Sequence, residues 1–167
     1  MLYLYVLALI VLGIDQGTKW LVATNMNLHE SIPVIGDFFL ITSHRNTGAA
    51  FSILEGKRWF FLVITTIVVA GIIWYLQKVK FSQGKVLPLG LSLILSGAIG
   101  NFIDRAMTGE VVDFLQFNFG SYTFPIFNVA DSAICIGVGL VLLDAVLSIQ
   151  REKKINEQQE GTVEETK

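Results

Sequence analysis

Residues 59–77 read WFFLVITTIVVAGIIWYLQ and residues 86–103 read VLPLGLSLILSGAIGNFI. Neither stretch contains a charged residue. A helix that crosses the hydrocarbon core of a bilayer, about 30 Å thick, needs roughly 20 apolar residues, because each residue rises about 1.5 Å. Both stretches meet this requirement. They predict two transmembrane helices joined by a short loop.

The whole chain has the composition of a membrane protein. Of its 167 residues, 53% are hydrophobic and 16% are charged, and its mean hydropathy is +0.61. Soluble domains have about 45–50% apolar and about 25% charged residues. The net charge of −2 gives no sign of the basic surface that a nucleic-acid-binding protein needs. With Cys135 as the single cysteine, a disulfide scaffold within one chain is excluded.

Two further apolar stretches complete four predicted spans. Residues 1–24 carry only Asp15 and Lys19 as charges, and residues 128–150 carry only Asp131 and Asp144. A cleaved signal peptide is the alternative for the first stretch, but it lacks a basic start and no small-residue cleavage site follows. We therefore predict an all-α integral membrane domain over residues 1–150, with four transmembrane helices.

Lysine and arginine residues predict the orientation, because they are enriched in cytoplasmic loops. Three lysines lie between the second and third spans, and the tail after the fourth span opens with three more basic residues. This places both termini in the cytoplasm and loops 25–58 and 106–127 outside, although the outer loops also carry Arg45, Lys57 and Arg58. The polar tail, residues 151–167, is predicted to be disordered.

The outer loops have some features of ordered structure. Residues 31–43 partly alternate and contain Pro33 and Gly36, while residues 111–119 and 122–127 flank a turn signal at Gly120. These patterns predict short strands, and irregular loops fit them equally well. Residues 46–54 predict a short helix on the membrane surface. A small extracytoplasmic sheet is therefore one of two interpretations.

Polar side chains collect at the outer ends of the predicted spans. Spacings of three or four residues place them on one face of each helix, and charges within spans are costly enough to suggest function. Asp113 lies in an outer loop among apolar neighbours, which favours a position inserted into the protein and away from solvent. The collected residues are Asp15, Lys19, Asn101, Asp104, Arg105, Asp113, Asn128 and Asp131. Asp144 is excluded, because it lies thirteen residues after Asp131 and about 20 Å deeper.

Carboxylates are the reactive groups that this cluster offers. A Cys/His nucleophile is not supported, because both histidines belong to the first outer loop and Cys135 to the fourth span, and no zinc-binding spacing occurs. Asp15 and Asp104 have cationic neighbours, and we predict ion pairs of Asp15 with Lys19 and of Asp104 with Arg105 or Lys19. By elimination, Asp113 and Asp131 form the better pair, in which one carboxylate activates water while the other holds a proton. The alternative is that both are buried structural carboxylates.

Five segments resemble the ordered motifs of the lipoprotein signal peptidase family, the type II bacterial signal peptidases. They are DQGTK (residues 15–19), RNTGAAFS (45–52), GNFIDR (100–105), GEVVDF (109–114) and FNVADS (127–132). Each alone is a weak signal. Together they occur in the family's order, span nearly the whole chain except its tail, and show no departure at a motif position.

This resemblance implies an aspartic endopeptidase of the bacterial cytoplasmic membrane. It would remove the signal peptide from diacylglyceryl-modified prolipoproteins, cutting just before the lipidated cysteine near the outer face. The family's catalytic pair falls on Asp113 and Asp131. The family's supporting or substrate-positioning residues fall on Asp15, Lys19, Asn46, Asn101, Asp104, Arg105 and Asn128.

The resemblance also implies a fold with four transmembrane helices, a small extracytoplasmic β-sheet cradle and a short surface helix. It implies no metal or other cofactor, contact with membrane lipids, and inhibition by the cyclic peptide globomycin. We expect a monomer. Two other classes of protein compete with the peptidase: a small proton-coupled carrier, which needs polar groups across the full membrane depth, and a scaffold that uses ion pairs only for helix register.

Overall fold

The computed structural model describes residues 2–48, 56–78 and 84–165, with side chains described as far as Lys153 and at Gln158. The elements in chain order are α1 (Leu2–Asn25), β1 (Ser31–Ile35), β2 (Phe39–Asn46), α2 (Arg58–Lys78), α3 (Val86–Met107), β3 (Val111–Phe119), β4 (Tyr122–Thr123) and α4 (Val129–Glu165). Among the described residues, four helices are long and apolar enough to cross a membrane. The four predicted spans are therefore confirmed.

Helix α3 lies at the centre of the bundle and packs against each of the other three helices. Leu95 of α3 joins Leu4 of α1 and Leu76 of α2 in a buried apolar cluster. Many other apolar side chains on α1, α2 and α4 are exposed. Apolar surface of this kind suits contact with lipid, because lipid tails are as apolar as the side chains themselves.

Small residues allow α3 and α4 to approach closely. An added Cβ at Gly90 would lie 2.7 Å from the carbonyl oxygen of Gly137, and one at Gly97 would collide with the carbonyl oxygen of Ala130. Gly90 and Gly97 are seven residues apart, as are their partners on α4. Small residues recur at such interfaces in membranes because close backbone packing replaces the missing hydrophobic drive between helices.

The segments that connect α1 to α2 and α3 to α4 form a four-stranded antiparallel sheet in the order β1-β2-β3-β4. The register of β2 and β3 places His44 opposite Asp113 and Asn46 opposite Val111. Directly opposite residues project to the same face of a sheet, so His44 and Asp113 are neighbours. The sheet predicted from the two outer loops is thus confirmed, and the interpretation as irregular loops is wrong.

Phe127 joins the sheet to the start of α4. Its carbonyl oxygen accepts hydrogen bonds from the N–H groups of Phe114 (3.0 Å) and Leu115 (2.8 Å). Its own N–H donates to the Leu115 carbonyl oxygen at 3.2 Å. These bonds hold the first residues of α4 beside the strand that carries Asp113.

Two predicted elements differ from the structure. The tail expected to be disordered is helical, because α4 continues to Glu165; Glu, Gln and Lys favour helix, and extending an existing helix avoids the cost of nucleation. The strand expected at residues 122–127 is only two residues long, followed by an isolated bridge at Phe127. The surface helix expected at residues 46–54 lies mostly outside the described residues, and Asn46 itself ends β2.

Gly97→Ala tests the close packing of α3 and α4. The added methyl group would meet the backbone of Ala130, which cannot move without shifting α4, and overpacking of this kind typically costs about 1–3 kcal/mol. We expect a lower melting temperature for the purified protein in detergent. Gly13→Ala is the matched control, because an added Cβ there meets nothing within 4 Å. An unchanged melting temperature for Gly97→Ala would contradict the packing described.

Candidate active site

A buried lysine connects the C-terminal halves of α1 and α3. The side chain of Lys19 is 3% exposed, and its Nζ lies 2.9 Å from Oδ2 of Asp15 and 3.0 Å from Oδ2 of Asp104. The same Nζ donates to Oδ1 of Asn101 at 2.9 Å. All three ammonium protons therefore have an acceptor, as a buried cation requires. The ion pairs predicted for Asp15 and Asp104 are confirmed, with Lys19 and not Arg105 as the partner of Asp104.

Asp15 carries this network to α4. Its Oδ1 accepts a hydrogen bond from the backbone N–H of Ala130 at 2.8 Å, one of the helix N-terminal N–H groups that lack a partner within the helix. The carboxylate packs directly against Gly100, where any side chain would collide with it. Asp15 is fully buried. It therefore joins three helices at one point.

Asp104 carries the network to β3. Its Oδ2 accepts a hydrogen bond from the backbone N–H of Val112 at 3.3 Å, and its Oδ1 accepts one from Nε2 of Gln16 at 2.9 Å. Val112 directly precedes Asp113 in the chain. The end of α3 therefore fixes the backbone beside one member of the predicted aspartate pair.

Asn128 and Asp131 form a reciprocal cap at the start of α4. Oδ1 of Asn128 accepts from the N–H of Asp131 at 2.9 Å, and Oδ2 of Asp131 accepts from the N–H of Asn128 at 3.2 Å. This is the geometry of a capping box with an acidic residue at the third helical position. Oδ1 of Asp131 accepts from Nδ2 of Asn101 at 2.8 Å. Asp131 is thus oriented by two neighbouring elements.

The side chain of Asn128 also reaches the other aspartate. Its Nδ2 donates to Oδ1 of Asp113 at 2.7 Å, while Nδ2 of Asn46 donates to Oδ2 of Asp113 at 2.9 Å. Asp113 is only 1% exposed. Burial is the main cause that raises the pKa of Asp113 to about 7, followed by the charge of Asp131, while the hydrogen bonds from Asn46 and Asn128 lower it. Asp113 therefore holds a proton far more readily than an exposed aspartate does.

Both aspartates line a cavity of about 1130 Å³. Asn46, Asn101 and Arg105 contribute further polar groups to its wall. Its apolar wall runs along α4 from Ile134 to Val138 and includes the segment between β4 and α4. A concave, mostly apolar space with a few convergent polar groups is the usual form of a ligand site. Titratable groups with shifted pKa values in such a space favour catalysis.

Asn46 and Arg105 differ in their contacts within the site. Asn46 binds Asp113, and its Oδ1 accepts from the backbone N–H of Gly48 at 2.9 Å. Arg105 donates from Nη2 to the carbonyl oxygen of Gly48 at 2.9 Å, and its buried Nε has no hydrogen-bond partner among the described residues. All nine residues predicted for the site therefore belong to one connected cluster. Their roles in catalysis stay a prediction at this point.

Sequence reasoning missed three residues of this region. Gln16 binds both Asp104 and the carbonyl oxygen of Gly100, His44 lines the cavity, and Phe61 lies under the guanidinium of Arg105. Gln16 could have been found within the motif DQGTK. His44 and Phe61 carry no local signal, because strand register and helix packing bring them to the site.

The sequence excluded Asp144 and Cys135 from the site. Asp144 is near Gly84 at the other end of the bundle, as expected from its depth. Cys135 is exposed and lines the cavity along α4. Among the described residues, no group of three or more His, Cys, Asp or Glu side chains could hold a metal ion.

Known proteins resemble this chain over nearly its full length. The family described as Signal peptidase (SPase) II matches residues 7–147. Lipoprotein signal peptidases of Bacillus pumilus (strain SAFR-032) and Bacillus subtilis (strain 168) are each 52% identical, covering 92% of this chain and 98% and 99% of their own. A solved bacterial membrane enzyme, determined by the in meso method, is 43% identical, with a TM-score of 0.83 and 92% of each chain covered.

Lys19→Ala tests the buried ion pairs. It leaves two buried carboxylates without their cation, a change that typically costs about 3–5 kcal/mol. We expect a clearly lower melting temperature, while Lys85→Ala, which removes an exposed lysine, should leave it unchanged. If Lys19→Ala abolished activity without changing the melting temperature, a structural role for Lys19 would be wrong.

Proposed function

The chain belongs to the signal peptidase II family, and from this premise we propose that Asp113 and Asp131 are the catalytic pair with which it removes signal peptides from prolipoproteins. The observation that carries this proposal is the position of Asn128, which hydrogen-bonds both carboxylates at the wall of one cavity. The substrate is a diacylglyceryl-modified prolipoprotein, cut just before its lipidated cysteine.

We assign the initial base to Asp131 and the initial acid to Asp113. Asp131 lies in the first turn of α4, where the helix dipole favours a negative charge. It also accepts a hydrogen bond from Asn101, whose own oxygen is bound by the Lys19 ammonium. Asp113 lies outside the helices, and its raised pKa of about 7 means that a substantial fraction of the Asp113 carboxyls keeps its proton at neutral pH.

The reaction then proceeds without a covalent intermediate. The Asp131 carboxylate takes a proton from water, and the water oxygen attacks the scissile carbonyl carbon. The Asp113 carboxyl gives its proton to the carbonyl oxygen, which produces a tetrahedral diol. As the C–N bond breaks, the leaving nitrogen takes the proton from Asp131 and the diol returns a proton to Asp113, which restores the starting state.

Arg105 is the group that we assign to the substrate carbonyl or the tetrahedral oxygen. It lines the cavity with both aspartates, and its Nε–H has no acceptor among the described residues. A buried donor without a partner is costly unless a ligand supplies the acceptor. Asn46 is better explained as a residue that orients Asp113, because its Nδ2 already donates to Asp113 and its Oδ1 already accepts from Gly48. Loss of a single donor to the tetrahedral oxygen, the role assigned to Arg105, typically costs about 100- to 1,000-fold in turnover.

The location of the site suits a substrate that stays in the membrane. The acyl chains of the substrate remain in the outer leaflet while its signal helix spans the bilayer, so the scissile bond lies at the outer interface. We propose a multi-pass protein of the bacterial cytoplasmic membrane, with both termini in the cytoplasm, because the Lys and Arg of loop 78–85 and of the tail favour that side. We further propose that it acts as a monomer among membrane lipids and is inhibited by globomycin.

Replacement of either aspartate tests the pair directly. Purified protein is incubated with a lipid-modified and an unmodified prolipoprotein, and cleavage is followed on a gel. Asp113→Asn and Asp131→Asn should each reduce cleavage of the modified substrate by about 100- to 10,000-fold, because each removes an acid–base group. Asp144→Asn, the matched control at the other end of the bundle, should cleave normally. Near-normal cleavage by either of the first two variants would remove that residue from the pair.

The pH dependence of kcat/KM tests the assignment of the acid. Because its pKa is raised to about 7, Asp113 keeps its proton below that pH and loses it above. We expect kcat/KM to fall as the pH rises above about 7, approaching tenfold per pH unit. The melting temperature, measured at each pH, separates this loss from unfolding. A constant kcat/KM from about pH 6 to about pH 9 would show that Asp113 is not the acid.

A further inference from the structure

The first turn of α2 faces the outer end of α3. Arg58 and Phe61 are three residues apart and therefore lie on one face of α2. Nη2 of Arg58 donates to the carbonyl oxygen of Ala106 at 2.7 Å, in the last turn of α3. Phe61 is partly buried and contacts Arg105, the residue that precedes Ala106 in the chain. This face of α2 therefore holds the end of the helix that carries Arg105.

The ring of Phe61 supports the guanidinium of Arg105. The Cζ atom of Arg105 lies 4.6 Å from the ring centroid, within the distance of about 6 Å at which a cation is attracted to an aromatic face. The ion pairs found among the described residues involve Lys19 and Arg45 and leave Arg105 without a direct carboxylate partner. Among the described residues, the ring of Phe61 is the aromatic group that the flat face of this cation meets.

The remaining contacts of Arg105 fix one edge of its guanidinium. Nη2 donates to the carbonyl oxygen of Gly48 at 2.9 Å, and Nη1 lies 3.5 Å from the carbonyl oxygen of Asn101. Gly48 is bound in turn by Asn46, which binds Asp113. With the face of the guanidinium on Phe61 and one edge on Gly48, its Nε–H meets no acceptor in the part of the chain that the structure describes.

We propose that Phe61 is a positioning residue for the cleavage reaction, because its ring holds the Arg105 guanidinium in the orientation that receives the tetrahedral oxygen of the substrate. This inference rests on the role of Arg105 proposed above. An arginine side chain has many rotamers, and an unsupported guanidinium would lose that freedom only in the transition state. Pre-orientation by the ring removes part of that loss before the substrate binds.

Phe60 provides a matched control on the same helix. It precedes Phe61 directly, is 49% exposed, and is the other phenylalanine of the pair at the start of α2. Phe60→Leu removes a ring of the same size from the same helical turn. It leaves the contact between Phe61 and Arg105 in place, so cleavage should be unchanged.

The first experiment compares Phe61→Leu, Phe61→Tyr and Phe60→Leu in the cleavage assay with a lipid-modified prolipoprotein. Phe61→Leu should lower kcat by about 2- to 30-fold with little change in KM, since the value of a cation–π contact corresponds to that range. Phe61→Tyr retains the aromatic face and should restore most of the rate. If Phe61→Tyr were as slow as Phe61→Leu, the ring face would not be the cause and the proposal would fail.

The second experiment asks whether Phe61 acts through Arg105. In an Arg105→Gln background the cation is absent, so the further change Phe61→Leu should cost nothing in single-turnover cleavage. A merely structural role would instead lower the rate by the same factor in both backgrounds, which would overturn the proposal. If Arg105→Gln is too slow to measure, the same cycle is read from melting temperatures. Additive losses there would show that no contact couples the two residues.

Failure of this inference is distinguishable from failure of the proposed function. If Asp113→Asn and Asp131→Asn abolish cleavage while Phe61→Leu cleaves normally, the aspartate pair stands and Phe61 has no positioning role. If Arg105→Gln also cleaves normally, the assignment of Arg105 to the substrate oxygen falls with it. If the aspartate variants cleave normally, the catalytic pair itself is wrong, whatever the result at Phe61.

Discussion

The buried ammonium of Lys19 is the interaction on which the arrangement of the site depends. It binds Asp15 of its own helix, and Asp104 and Asn101 of α3. Each of these acceptors holds a further part of the site: Asp15 binds the N-terminus of α4, Asp104 binds β3, and Asn101 binds Asp131. A buried charge must have all its partners in place because an unpaired one is very costly. The electrostatic requirement of one lysine therefore sets the relative positions of three helices and a strand.

The start of α4 unites a structural and a chemical requirement. A helix N-terminus presents N–H groups that need acceptors, and the carboxylates of Asp15 and Asp131 and the amide of Asn128 supply them. The same Asn128 donates its amide hydrogen to Asp113. Capping of the helix and orientation of the two aspartates are thus performed by the same hydrogen bonds. The carboxylates of Asp131 and Asp113 have different surroundings, because Asp131 belongs to a helix N-terminus and Asp113 to a buried strand.

The packing of the helices explains why the polar site is confined to one end of the bundle. Close contact between α3 and α4 depends on glycine at positions 90, 97 and 137, and the buried cluster around Leu4, Leu76 and Leu95 is apolar. Toward the end where α1 and α3 finish and α4 begins, charged and amide side chains replace these apolar contacts. The apolar wall of the cavity runs from this polar end along α4.

The sequence alone left open whether residues 111–119 form a strand and which cation pairs with Asp104. It determined the four spans, the ion pair of Asp15 with Lys19 and the gathering of polar side chains on the helix faces. These are properties of local patterns: hydropathy reports a span, and spacings of three or four residues report a shared helix face. Only the tertiary structure decided the donors to each aspartate, the pairing of the strands and the place of Phe61 under Arg105. The bond from Ala130 to Asp15 joins residues 115 positions apart. Partners so distant in the chain are chosen by helix packing and strand register, which leave no periodic trace in the sequence.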